Sequence, residues 1–297
     1  MKMKFFILDE KYNAEAKRIY KKIDELVTLA NHSIFLAPVF VFHDKKINHM
    51  ILCYPKFDQL LKNWLPAQAF KGRFIPPIWM HLIKDVISGM SYIDELATSL
   101  GSIDSYVLET KPERIKVILF PFESTEVHWR ADFAAFLIEH LHNKWKSTMS
   151  KHFINMLQKD DIIGDIQHHP LLQDFDNLSN MIRMTWRESK HLTAERILLL
   201  SSTLNAIRNN IPWSSVTTTD AVVNEYISKA VTNDSWGLFT EIKKIAAHYI
   251  ENHRKLNKEK RICNTRQVHP IEIIEETWPG VIEEIYDLTL KSGWLST

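Results

Sequence analysis

The chain has 297 residues, 45% of them hydrophobic and 25% charged, with 7 glycines and a net charge of +1. That composition belongs to a folded protein large enough for two modest domains or one large one, and it excludes disordered and collagen-like classes. With so little net charge no global field draws the chain to nucleic acid or anionic lipid, so any such contact rests on a local patch.

In chain order, "KMKFFIL" reads as a strand. "NAEAKRIYKKIDELVTLAN" has helical period, with Ala16, Ile19, Tyr20, Ile23, Leu26 and Val27 on one face. "APVFVFHD" and "HMILCYP" are β-rich runs around a polar turn and predict a hairpin. "FDQLLKNWL" predicts a short amphipathic helix. "PPIWMHLIKDVISGMSYIDELATSL" predicts a long one, opened by Pro76 and Pro77 and stopped at Gly101. "RIKVILFPFE" follows a charged turn, is apolar on both faces, and predicts a buried strand that Pro121 ends. "ADFAAFLIEHLHNKW" predicts a buried central helix.

From "SKHFINML" onward the pattern is almost wholly helical. "FDNLSNMIRMTWRES" and "TAERILLLSSTLNAI" are amphipathic, and Asn209, Asn210 and Pro212 break the pattern. "SSVTTTD" leads to an N-cap at Asp220, with helices predicted at about 220–230, 234–253 and 270–291. The basic stretch "RKLNKEKRICNTRQVHP" predicts a loop between the last two.

Cys53 and Cys263 are too far apart to read as a disulfide framework or a zinc set, which fits a reducing compartment. The first residues turn polar too soon for a signal peptide, and no apolar run approaches the ~20 residues of a membrane helix. A cytoplasmic or nuclear protein is expected. His168 and His169 are adjacent and lack the distant ligands a zinc site needs, so no metal and no cofactor is expected.

The order of elements resembles a protein kinase that starts partway into its small lobe. "MKMKFF" resembles the strand of the kinase lysine, with Lys4 in that place. "HLIKDVISGMSYIDEL" resembles the long helix of the large lobe, and "RADFAAFLIEHL" its buried helix, with Asp132 at the family's aspartate. "ILFP" stands where a kinase has Asp-Phe-Gly, so Leu119 replaces the carboxylate that holds magnesium. No glycine-rich loop precedes Lys4, Ile23 falls where the lysine's glutamate belongs, and Asp104 is a poorly registered candidate for the catalytic aspartate. The resemblance implies a truncated pseudokinase without magnesium–ATP chemistry.

"INMLQKDDIIGDIQHHPLL" resembles the passage from kinase lobe to KEN ribonuclease module in ribonuclease L and the inositol-requiring ER stress sensors. Trp213 matches an anchoring tryptophan, "LFTEIKKIAAHY" the helix ending in His-Tyr, and "WPGVIEEIY" the motif Phe-Pro-x-Leu-Leu-x-x-x-Tyr. The expected fold is therefore α+β, mainly α. A partial kinase-like domain would occupy 1–168 and an all-α KEN-like domain 169–297.

The resemblance implies metal-independent RNA cleavage to a 2′,3′-cyclic phosphate after dimerisation. The roles are a histidine acid, a tyrosine base and an Arg-Asn pair on the phosphate. His248 falls at the acid, Lys243 at the arginine and Lys244 at the asparagine. The tyrosine place falls near Ala230, one helical turn from Tyr226. Arg254, Lys255, Lys258, Lys260 and Arg261 are candidate RNA contacts, though a charge run also reads as a solvated loop. His248 with Tyr249 also reads as a partly buried pair on an amphipathic helix. The alternative function is a non-catalytic regulator that pairs, as a homodimer or heterodimer, with an active kinase–ribonuclease relative.

Overall fold

The computed structural model describes residues 3–8, 14, 16–29, 32–65, 74–89, 100, 102–120, 129–159, 163–191, 213–216, 218–230, 235–259 and 268–293. It is a mixed α+β chain, mainly helical. It divides into two compact units, one of residues 1–146 and 154–167, the other of 147–153 and 168–297.

In the first unit, β1 (Met3–Ile7), β3 (Phe40–Asp44) and β4 (His49–Pro55) form an antiparallel sheet in the order β1-β4-β3. The predicted hairpin is thus present, with Phe40 opposite Cys53 and Phe42 opposite Ile51. Side chains alternate across the sheet. Leu52 and Tyr54 of β4 join Ile19 and Ile23 of α1 (Ala16–Leu29) in one apolar cluster. On the other face, Phe5 and Phe40 flank buried Cys53 while remaining 60% and 44% exposed. Tyr20 and Val27, expected on the buried stripe of α1, are exposed; Ile19, Ile23 and Leu26 carry its packing.

The second sheet runs β2-β7-β6-β5, with β2 (Phe35–Leu36), β5 (Gln59–Leu60), β6 (Tyr106–Thr110) and β7 (Glu113–Ile118). "FDQLLKNWL" is therefore not all helix. Gln59 and Leu60 pair with β6, and only α2 (Leu61–Trp64) is helical. Asp58 fixes this corner, since its carboxylate accepts from both the amide and the hydroxyl of Thr110. The strand predicted from residue 114 is β7, and its apolar run follows from burial at Ile115, Val117 and Ile118. α3 (Pro77–Ser88) packs on β7, with Pro77 in its first turn. The rest of the predicted long helix, including its stop at Gly101, lies outside the described residues apart from Gly89 and Leu100. α4 (Trp129–Leu137) continues through a π turn to Trp145, and Phe133, Phe136 and Leu137 bury its inner face. α5 (Thr148–Gln158) belongs to the second unit up to Phe153 and to the first from Ile154, and α6 (Ile163–Gln167) belongs to the first.

The second unit is helical: α7 (Phe175–Ser189), α8 (Ala221–Ser228), α9 (Ser235–Lys258), α10 (Pro270–Thr277) and α11 (Val281–Lys291). "TAERILLLSSTLNAI" and the break after it lie outside the described residues. α9 runs further than predicted, through Lys258, so Arg254, Lys255 and Lys258 stand on helix rather than loop. The helix predicted over 270–291 is two helices. Pro279 cannot continue α10, and Gly280 takes φ +89° to open α11. The Glu275 carboxylate accepts from the Gly280 amide and, at 2.9 Å, from the Thr148 hydroxyl.

His169 is completely buried. Its Nδ1 accepts from the Leu171 amide, and its Nε2 is hydrogen-bonded to Nδ1 of His152 at 2.9 Å. His152 in turn faces Asp287 at 3.3 Å. Burial, and then the neighbouring His152, hold the His169 pKa well below its ordinary value of 6.5. Above pH 6.5 both folded and unfolded His169 are neutral and contribute no slope. Below it the unfolded ring takes a proton that the folded ring refuses, so stability falls with falling pH. A single such group imposes about 1.4 kcal/mol per pH unit. His152 works in a different window. Burial opposes its charge, but the hydrogen bond and attraction of Asp287, with Glu283 and Glu284, outweigh burial and raise its pKa. Its contribution is complete below 6.5 and is lost as pH rises through the raised value. Urea unfolding across pH 5–8 should therefore show an acid limb below 6.5; burial also lowers the pKa of His140 and His269, so the share of His169 is the part of the limb that a His169→Asn variant loses.

Candidate functional site

The candidate site lies on α8 and α9. Asp220 caps α8 by accepting from the Val223 amide at 3.0 Å, as predicted, and its second oxygen accepts from the Tyr249 hydroxyl at 2.6 Å. That bond ties the start of α8 to the middle of α9. Leu238, Phe239, Ile242, Ile245, Tyr249 and Leu256 are the buried stripe of α9. Burying each such side chain is worth about 1.5–3 kcal/mol, so the opposite face is held rigidly in solvent.

Between α8 and α9 is a cavity of about 140 Å³ with Val222 and Leu256 as its apolar lining and Glu225, Tyr226, Lys229, Asn252 and Lys255 as polar lining. Asn252 donates from its side-chain amide to the Tyr226 hydroxyl, and Lys229 is ion-paired with Glu225. Burial raises the Tyr226 pKa, and the bond from Asn252 works the other way. His248 precedes Asn252 by four residues, and Lys255 follows it by three. All three therefore share one side of α9. His248 is 54% exposed, with Nδ1 3.4 Å from Glu251.

The expected phosphate clamp is engaged elsewhere. Lys244 donates to buried Glu241 at 2.7 Å, and the Lys243 ammonium lies 4.5 Å from the centre of the Trp186 ring. Asn252 has no place in the sequence pattern, in which the asparagine falls four residues before His248, where Lys244 stands. The signal that finds it is the same spacing in the other direction. Of the expected RNA contacts, Arg254, Lys255 and Lys258 are exposed near the end of α9, where cations suit the helix dipole. Lys260 and Arg261 lie outside the described residues.

In the first unit, the Lys4 ammonium lies 5.4 Å over the Phe57 ring. Leu119 is wholly buried, and its carbonyl accepts from the Tyr54 hydroxyl at 2.7 Å. Asp132 is half-buried in the first turn of α4, and Asp104 pairs with Lys62 at 2.6 Å. Among the described residues no group of three His, Cys, Asp or Glu side chains is placed to hold a metal, and no helix is long and apolar enough to cross a membrane. No protein-family model matches this chain, and no curated protein matches it.

Proposed function

We propose that this chain is a pseudokinase unit joined to a KEN-type unit that cleaves RNA without metal. The observation that supports this reading best is the Tyr226–Asn252 pair at a cavity lined by Lys229 and Lys255, with His248 one turn back on the same side of α9. In the reaction the ribose 2′-hydroxyl loses its proton to Tyr226 and its oxygen bonds to phosphorus. The P–O5′ bond breaks, and the leaving oxygen takes a proton from His248, leaving a 2′,3′-cyclic phosphate. Lys255 supplies a cation for the charge that develops on the phosphoryl oxygens, the role of a preorganised donor in such a step. Burial disfavours the Tyr226 phenolate and only Asn252 opposes it, so the reaction is slow at neutral pH.

The outer face of the three-stranded sheet leaves Phe5, Ile7, Phe40 and Phe42 exposed, an apolar surface of the kind a partner covers. The second reading, a non-catalytic protein that pairs with an active relative, is favoured by the engagement of both clamp lysines, with Glu241 and Trp186. Incubation of RNA stem-loops with protein at rising concentration decides between the two. Cleavage that survives EDTA, leaves a cyclic phosphate and rises steeply with concentration is expected. No cleavage at any concentration decides for the regulator.

A further inference from the structure

On the solvent side of α7, Arg183, Trp186, Arg187 and Lys190 follow one another at i, i+3, i+4 and i+7, which makes one stripe. α7 packs against α9, and the Trp186 ring is oriented from there. Its indole N–H donates to the Thr240 hydroxyl at 3.4 Å, and the ring stacks near Trp236 at 6.4 Å between centres and 23° between planes. Two ammoniums gather on this one half-buried ring, Lys190 at 3.8 Å and Lys243 at 4.5 Å from its centre. The two cations can be no farther apart than the sum of those distances, and they repel. An exposed cation–π contact is worth about 0.5–1 kcal/mol, weak enough for a base and its phosphates to displace both ammoniums from the ring. A polyanion with a flat group between its charges relieves the repulsion and uses the ring.

We infer that this face is a stacking platform for single-stranded RNA, with a base on Trp186 and the flanking phosphates on Lys190 and Lys243. The choice of RNA rests on the cleavage reading above. The chemistry is that of non-specific single-strand binders, in which aromatic faces take bases and a basic track takes the backbone. Thr240, Lys244 and His248 follow at four-residue steps on α9, so a strand laid on Trp186 is directed along that helix toward His248. The chain as a whole carries only +1, so this attraction is local, and its salt dependence reports the few phosphates engaged.

The test is fluorescence anisotropy of a short 2′-O-methyl oligouridine, which has no free 2′-hydroxyl and cannot be cut. Trp186→Ala should weaken binding by about tenfold or more, and Trp186→Phe should keep most of it, since a stacked base contributes in that range. Lys190→Gln should lower the slope of log affinity against log salt by about one. Wild-type protein that does not bind, or a Trp186→Ala protein that folds and binds as wild type, overturns the platform. So does polyglutamate that competes as well as oligouridine at equal charge, because charge alone would then account for binding. Binding that depends on Trp186 in a protein that never cuts RNA sustains the platform and removes the nuclease. Cleavage that is indifferent to Trp186 does the reverse.

Discussion

His248→Ala is expected to lower the rate of RNA cleavage by about 10²–10⁴-fold, the usual contribution of a positioned general acid. The side chain is 54% exposed and faces Glu251, a surface pair whose loss costs little. The fold should therefore survive, with a change in stability within about 0.5 kcal/mol. Tyr226→Phe provides the complement. It keeps the ring that lines the cavity and removes the oxygen to which Asn252 donates. Both variants should fail in cleavage; His248→Ala should melt as wild type does, and Tyr226→Phe should lose no more than the roughly 0.5–1.5 kcal/mol of one hydrogen bond. If cleavage persists in the His248→Ala protein, the acid is elsewhere and the α8–α9 cavity is not the reaction site.

Elements whose signal is local were readable from the sequence. β4 and β7 announce themselves by apolar residues on both faces, and the Asp220 cap by its place before an apolar run. The errors have equally local causes. Charge makes the "RKLNK" stretch resemble a loop, although Arg, Lys and Leu are good helix formers and simply extend α9. The Pro279–Gly280 step is a breaker, but the apolar period runs across it and masks the break. Gln59 and Leu60 have no strand signal of their own, and pairing with β6 makes them strand.

Contacts between distant segments had no signal at all. Nothing in the spacing of His152, His169 and Asp287 brings them together, and nothing tells which side of α9 Tyr226 meets. The candidate site was legible as residue types on one helix and not as a constellation. The Tyr226–Asn252 pair depends on how α8 lies against α9, which is set by the buried stripe of α9 and the bond from Tyr249 to Asp220.

Phe136→Ala is expected to cost about 3–5 kcal/mol, the range for removing a fully buried aromatic ring. Phe136 is 1% exposed and stacks on Tyr106 with 4.0 Å between centres and 14° between planes. Trp79 and Phe133 lie about it at 6.0 and 6.1 Å. These neighbours come from three separate elements, α3, β6 and α4 itself, so no single side chain can collapse into the space the ring leaves. Tyr106 is the least able to move, because its hydroxyl donates to the Leu100 carbonyl at 2.6 Å and its backbone is in the β6–β7 ladder. The cost should therefore fall toward the upper end of the range. Phe136→Leu, which keeps much of the volume, should cost distinctly less. Urea unfolding of the two variants beside wild type measures both values. A loss under about 1 kcal/mol for Phe136→Ala would mean that the ring is not at the centre of the first unit, and would remove the packing on which the placement of α4 depends.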